Sequence, residues 1–97
     1  MIKEWIAALR SGKYTQGYGR LDDGVSCCAF GVACRLMSDK LEINPLTGAY
    51  DGHVITPPDT VWKALGLTVA TVARIMSMND NEQRSFQEIA DYLETLA

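Results

Sequence analysis

With one histidine, three cysteines and three prolines in 97 residues, the sequence lacks the material for several classes of protein. A single histidine and no C-x-x-C spacing leave a four-ligand zinc site without its donors. An odd number of cysteines cannot close a complete internal disulfide framework, so reduced thiols are expected. No apolar run approaches the roughly 18 residues of a membrane span. Met1–Arg10 is amphipathic and lacks the continuous apolar stretch of a signal peptide, so a cytoplasmic protein without membrane attachment is expected. Positive charge is also short. Nine Lys and Arg against twelve Asp and Glu give a net charge of −3, whereas general nucleic-acid binding needs a basic excess or stripe.

What is present is the composition of one globular domain, residues 1–97, with 47% apolar and 22% charged residues and no repeat or low-complexity tract. The charge is uneven: residues 1–40 hold six Lys/Arg and four Asp/Glu, residues 41–97 three and eight. Any anion site is therefore expected in the N-terminal half.

Apolar spacing predicts a mainly α fold of four or five short helices. Ile2, Trp5, Ile6 and Leu9 form a helical stripe that ends at Gly12, a residue suited to a C-cap. Residues 13–21 read as a loop or short irregular strand, followed by a turn at Asp22-Asp23-Gly24. Ser26 reads as the N-cap of a helix over Cys27–Met37 that is apolar on almost every side, which marks a central helix. Within it, Gly31 costs about 1 kcal/mol of helix propensity, a cost accepted where another backbone comes close. Residues 41–56 read as a surface excursion, a small hairpin with Val54 and Ile55 in its second arm. Pro57 and Pro58 open a helix bearing Val61, Trp62 and Leu65 that Gly66 ends. Thr68 caps the next, whose inward stripe is Val69, Val72, Ile75 and Met76, and which Asn79-Asp80-Asn81 breaks. Ser85 and Glu88 have capping-box spacing at the start of the last, with Phe86, Ile89, Ala90, Leu93 and Leu96 as its buried stripe.

The cysteines of SCCAFGVAC admit three readings. As zinc ligands, Cys27 and Cys34 lie roughly 10 Å apart along a helix, too far to share an ion about 2.3 Å from each sulfur. As nucleophiles, Cys27 or Cys28 in a first helical turn gains a lowered pKa, and His53 with Asn79 or Asn81 completes a Cys-His-Asn arrangement. The string GVSCCAF is similar to the segment around a papain-type nucleophile. As core residues, all three are small buried hydrophobes, the commonest role of free cysteine. On the same footing, His53 in a turn-rich segment reads as an exposed loop residue.

A second candidate site needs no chemistry. The outward amides of the cysteine helix, with Lys13, Tyr14, Gln16 and Arg20 in the preceding loop, would hold a phosphate and stack a ring. The alternative is that these loop residues cover the helix end and pair with Asp22 and Asp23.

The segments WIAALRSGKYTQGYGRL, CCAFGVAC, PPDTVWKALGL and MNDNEQRSFQEIADYLE together resemble a family of small uncharacterised proteins carried by bacteriophages and prophages. Phe30 stands where that family commonly has leucine, and Lys63-Ala64 interrupt its usual tryptophan-leucine pair. The resemblance implies a phage context and carries no activity. The resulting expectation is an accessory, counter-defence protein of the host cytosol that sequesters a host component by binding. The expected ligand is a small phosphorylated or nucleotide-like molecule held by Lys13, Tyr14, Gln16 and Arg20 near the amides of Cys27 and Cys28, with Asn79 and Asp80 adding polar contacts. No cofactor or metal is expected. A homodimer is expected, since so short an apolar chain leaves a patch uncovered. The alternatives are a cysteine-dependent hydrolase or transferase using Cys27 or Cys28 with His53, and a protein-binding inhibitor of a host enzyme.

Overall fold

Five helices occupy the segments whose capping and apolar spacing call for them: α1 (Ile2–Arg10), α2 (Ala29–Leu36), α3 (Asp59–Ala64), α4 (Val69–Asp80) and α5 (Phe86–Leu96). The computed structural model describes residues 1–96. Trp5, Ile6 and Leu9 of α1 are buried, as their spacing requires. The Thr68 hydroxyl accepts from the Thr71 amide at 3.2 Å at the start of α4. At α5 the capping box is complete: the Glu88 amide donates to the Ser85 hydroxyl and the Ser85 amide to the Glu88 carboxylate, each at 3.1 Å. Gly66, at φ 74°, closes α3. Its amide donates to the Lys63 carbonyl while that of Leu67 reaches back to Trp62, the paired bonds of a Schellman motif.

Helix α2 is the centre of the molecule. Helices α1 and α4 pack against it, α5 packs on both α1 and α4, and Ala29 to Cys34 are all buried. Trp5 of α1 stacks on Phe30 with ring centroids 5.2 Å apart, and its indole N–H donates to the Ala29 carbonyl at 2.8 Å. The aromatic pair thus adds a directional contact to the burial of two large side chains.

The start of α2 departs from the sequence-based expectation. The helix begins at Ala29 with Cys28 as N-cap, and it ends at Leu36 with Met37 as C-cap, so it does not fill Cys27–Met37. Ser26 caps nothing on it. Ser26–Cys27 is a strand, β2, paired in parallel with β1 (Thr15–Gln16), and the Ser26 hydroxyl donates to the Asp23 carboxylate at 3.0 Å. Asp23 accepts the Val25 and Ser26 amides as well, so this acid turns the chain and draws Ser26 into the turn. The β element accordingly lies here and not in a hairpin over 41–56. That segment contributes only isolated bridges, Ile43 to Tyr50 and Tyr50 to His53, and Val54 and Ile55 are exposed.

Three smaller departures follow from position. Both prolines precede α3, with Pro58 as its N-cap, and Asn79 and Asp80 belong to α4, which ends after them. Val69 and Leu96 sit at helix ends and are exposed, leaving Ile75, Met78 and Asn79 as the buried face of α4.

Candidate functional site

The residues singled out from the sequence divide between two places. Gln16, Cys28, Asn79 and Asp80 converge where the end of α4 meets β1 and the start of α2. The Asn79 carboxamide oxygen accepts from the Ala29 amide at 3.1 Å and from Gln16 Nε2 at 3.0 Å. Its nitrogen donates to the Gly17 carbonyl at 2.9 Å and to Asp80 Oδ1 at 2.8 Å. Those four bonds use the full capacity of an asparagine side chain. Asp80 also accepts the Gly19 amide, and Gln16 donates to the Arg84 carbonyl. Of the two residues whose amides are expected to hold a phosphate, Cys28 donates its amide to the Leu21 carbonyl and Cys27 lies in strand β2, while the next amide, that of Ala29, is taken by Asn79. The helix start is therefore closed by protein, and this cluster is a clasp joining three elements.

Arg20 stands elsewhere. Its guanidinium donates to the Thr47 carbonyl at 2.8 Å, which turns it toward the 44–48 loop. Lys13 is exposed, and Tyr14 is half-buried beneath the Arg35 guanidinium, 5.9 Å from its ring centroid. The four loop residues and two cysteines expected to surround one phosphate are thus not one constellation, because Ser26 does not begin the helix and the loop runs into a strand.

All three thiols are core residues, with exposures of 1%, 4% and 0% for Cys27, Cys28 and Cys34. Burial pushes Cys27 and Cys28 up to about 11 and Cys34 to about 12. For Cys28 the backbone amides of Gly31 and Phe30 favour the thiolate but do not offset its burial. His53 is half-buried in its loop, where Nδ1 lies 3.2 Å from the Thr56 hydroxyl. Among the described residues, no three His, Cys, Asp or Glu side chains are grouped to hold a metal ion. No helix among them is long and apolar enough to cross a membrane.

A charged cluster that the sequence did not single out ties the 41–56 excursion to the core. Asp22, 8% exposed, receives both arms of the Arg35 guanidinium at 2.7 and 2.8 Å. It also accepts the Tyr50 hydroxyl at 2.8 Å and the Gly24 amide at 2.9 Å. Burial alone would raise the Asp22 pKa; the Arg35 pair, the Gly24 amide and the Tyr50 hydroxyl outweigh it and bring it down from 3.8 to about 2. Burial and the bond to Asp22 hold Tyr50 well above the usual phenol range, whereas for Arg35 the bonds to Asp22 outweigh burial and hold it above the usual guanidinium range.

Beside this cluster lies a groove of about 590 Å³ between the 20–24 turn and the 45–48 loop, closed by Val54. Asp22 and Asp23 face it, but both carboxylates are already bonded, Asp23 to the Val25 and Ser26 amides and the Ser26 hydroxyl. Arg20 makes no ion pair among the described residues; its charge reaches Asp23 only as the weakest influence on that acid. Apolar side chains stand exposed along the rim: Leu46 at 93%, and Val54 with its neighbour Ile55 at 37% and 55%. Val25, next to Gly24, is 79% exposed. A larger hollow of about 740 Å³ between α1 and α5 is different in kind. Its Ile6 is buried, and its Arg10 is already paired with Asp91 and Glu94.

These features define a small helical domain with a loop face fastened by a buried Asp-Arg-Tyr cluster. The chain belongs to the family described as Domain of unknown function (DUF8296), which it matches over residues 1–51. The matched half contains α1, both strands, α2 and the whole of the Asp22, Arg35 and Tyr50 cluster. Neither the curated proteins nor the solved structures compared with the chain give a match.

Proposed function

We propose that this is a phage accessory protein, working in the cytoplasm of its host, that sequesters a host protein by binding it through the loop face around Arg20. One observation carries the reading: large apolar side chains, Leu46 above all, stand in solvent along a groove while the domain's core is otherwise well covered. Grouped exposed apolar residues around an arginine are the composition of a protein-contact surface. The phage context rests on the resemblance of the sequence blocks, a warrant by association. A counter-defence role is the form such sequestration takes in that context. A small phosphorylated ligand has less support, since the Cys28 amide that would receive it is bonded to the Leu21 carbonyl and Cys27 lies in strand β2.

Burying a leucine contributes about 2 kcal/mol, so Leu46→Asp should weaken capture of the host partner by roughly thirtyfold. Its melting temperature should stay that of the parent, because Leu46 touches little of its own chain. The measurement is quantitative pull-down from host lysate with both proteins; equal capture would refute the reading. Sedimentation of the parent protein tests the expected homodimer, which a monomer at high concentration would remove.

Burial of the thiols also weighs against nucleophilic catalysis. At pH 7 a thiol titrating at about 11 is thiolate in roughly one molecule in ten thousand. The native protein should therefore react with a thiol reagent only as fast as it opens, and the unfolded chain should label all three cysteines at once. Rapid labelling of Cys27 or Cys28 that His53→Ala abolishes would restore the hydrolase alternative.

A further inference from the structure

We infer that the chain forms a dimer with a second copy of itself by exchanging α5, each copy laying its last helix on α1 of the other. This stands apart from the loop face and uses none of it. The basis is where α5 is held. Its buried stripe of Phe86, Ile89, Ala90 and Leu93 belongs to a helix that packs mainly on α1, at the opposite end of the chain, and less on its sequence neighbour α4. Arg10 of α1 pairs with Asp91 and Glu94, and Gln87 Nε2 donates to the Arg10 carbonyl. Every copy offers the same seat. Docking on a second copy therefore reproduces these contacts and leaves the balance between monomer and dimer to the hinge that joins α4 to α5.

That hinge is Asn81 to Ser85. It contains no glycine or proline, and Glu82, Gln83 and Arg84 are all good helix formers. The chain nevertheless turns there, with Gln83 at φ 50°. This left-handed conformation is unfavourable for a residue with a Cβ, and after α1 and α3 it is taken by Gly12 and Gly66. Straightened into one helix over 69–96, the hinge loses the strain and its backbone groups bond along the helix. Arg84 keeps Glu88 four residues on as its partner. What the closed hinge gives up is exposed: the Arg74–Glu82 pair and the Gln16 bond to the Arg84 carbonyl. The Ser85–Glu88 cap is given up as well, but the longer helix satisfies the amides it served. Exposed pairs are worth little, whereas strain in a short hinge favours exchange and is relieved in both chains at once.

The test uses the full chain. Sedimentation of the parent should show a dimer at millimolar concentration, one that forms slowly because α5 must first leave its own α1. In a dimer refolded from equal amounts of carbon-13-labelled and unlabelled chains, nuclear Overhauser contacts between α1 and α5 should cross from labelled to unlabelled protein. Gln83→Gly accepts the turn without strain and weakens the straight helix, so it should raise the dissociation constant about a hundredfold or more. Gln83→Ala shortens the side chain but keeps the strain and the helix propensity, so it should dimerise at least as well as the parent. Melting temperatures near that of the parent, read on dilute protein, confirm that both variants fold. Leu46→Asp lies outside the hinge and the α5 seat and should leave the dissociation constant unchanged. A parent that stays monomeric at millimolar concentration overturns the inference. So do equal dissociation constants for Gln83→Gly and Gln83→Ala, α1–α5 contacts confined within one chain, or a dimer lost in Leu46→Asp. The loop face is judged separately, by capture of the host protein at dilutions where the chain is monomeric.

Discussion

Gly31→Ala should lower the melting temperature by roughly 20 °C or prevent folding, a loss of about 4 kcal/mol. The sign makes this informative. Alanine is the better helix former by about 1 kcal/mol, so a helix judged by propensity alone would be stabilised by the change. In the fold the added methyl would overlap the Leu21 carbonyl oxygen and come within 2.7 Å of the Cys27 Cβ and 2.9 Å of the Leu21 carbonyl carbon. None of these is the free end of a flexible side chain. Leu21 is held by the bond from the Cys28 amide to its carbonyl and by that from its own amide to the Val54 carbonyl. Relief would have to move the 20–24 turn, and the groove beside Arg20 would move with it. Thermal melting followed by circular dichroism settles the point; a variant within about 5 °C of the parent would show that the turn can retreat freely.

Arg35→Ala is expected to cost about 3 kcal/mol, because it leaves the Asp22 carboxylate buried with only a phenol and an amide to hold its charge. Its pH dependence separates this cause from lost side-chain packing. With the folded Asp22 at about 2 and the usual value at 3.8, protonation is disfavoured in the folded state. The corresponding stability is fully present above about pH 4 and is lost as the pH falls toward 2; it amounts to roughly 2 kcal/mol at 1.36 kcal/mol per unit. Denaturant unfolding should show this acid limb in the parent and a flattened one in Arg35→Ala. Arg35→Lys should fall between, since it keeps the charge but loses the two-armed bond. An acid limb of the same depth in parent and variant would mean that other carboxylates produce it.

The two cases illustrate how far the sequence could be read. The sequence signals for Gly12, Gly66, Thr68 and the Ser85–Glu88 pair are local: each acts on backbone within a few residues, so the residue type and its spacing contain the answer. The spacing of Trp5, Ile6 and Leu9 is a similar case, as is the apolar periphery of α2, which placed that helix at the centre. The need for a close backbone at Gly31 was also legible, though not which backbone.

Ser26 shows where such reading ends. As a residue type it is an N-cap, but Asp23 three residues earlier competes for its amide and hydroxyl, and Thr15–Gln16 pairs with it from eleven positions upstream. Once the strand forms, the helix starts later and Asn79, fifty residues away, takes the amide that Ser26 would have satisfied.

From its order of residues alone the chain specifies which segments are helical, where most of those helices stop, which faces are apolar and that the net charge is mildly acidic. Tertiary contact alone decided that the thiols are sealed, that Asn79 is consumed as a clasp, that Asp22, Arg35 and Tyr50 meet, and that Arg20 is left facing outward. The physical reason is range: caps and periodicity act across a few neighbouring bonds, whereas a buried carboxylate or a closed helix end is settled by whichever distant group reaches it when the chain collapses.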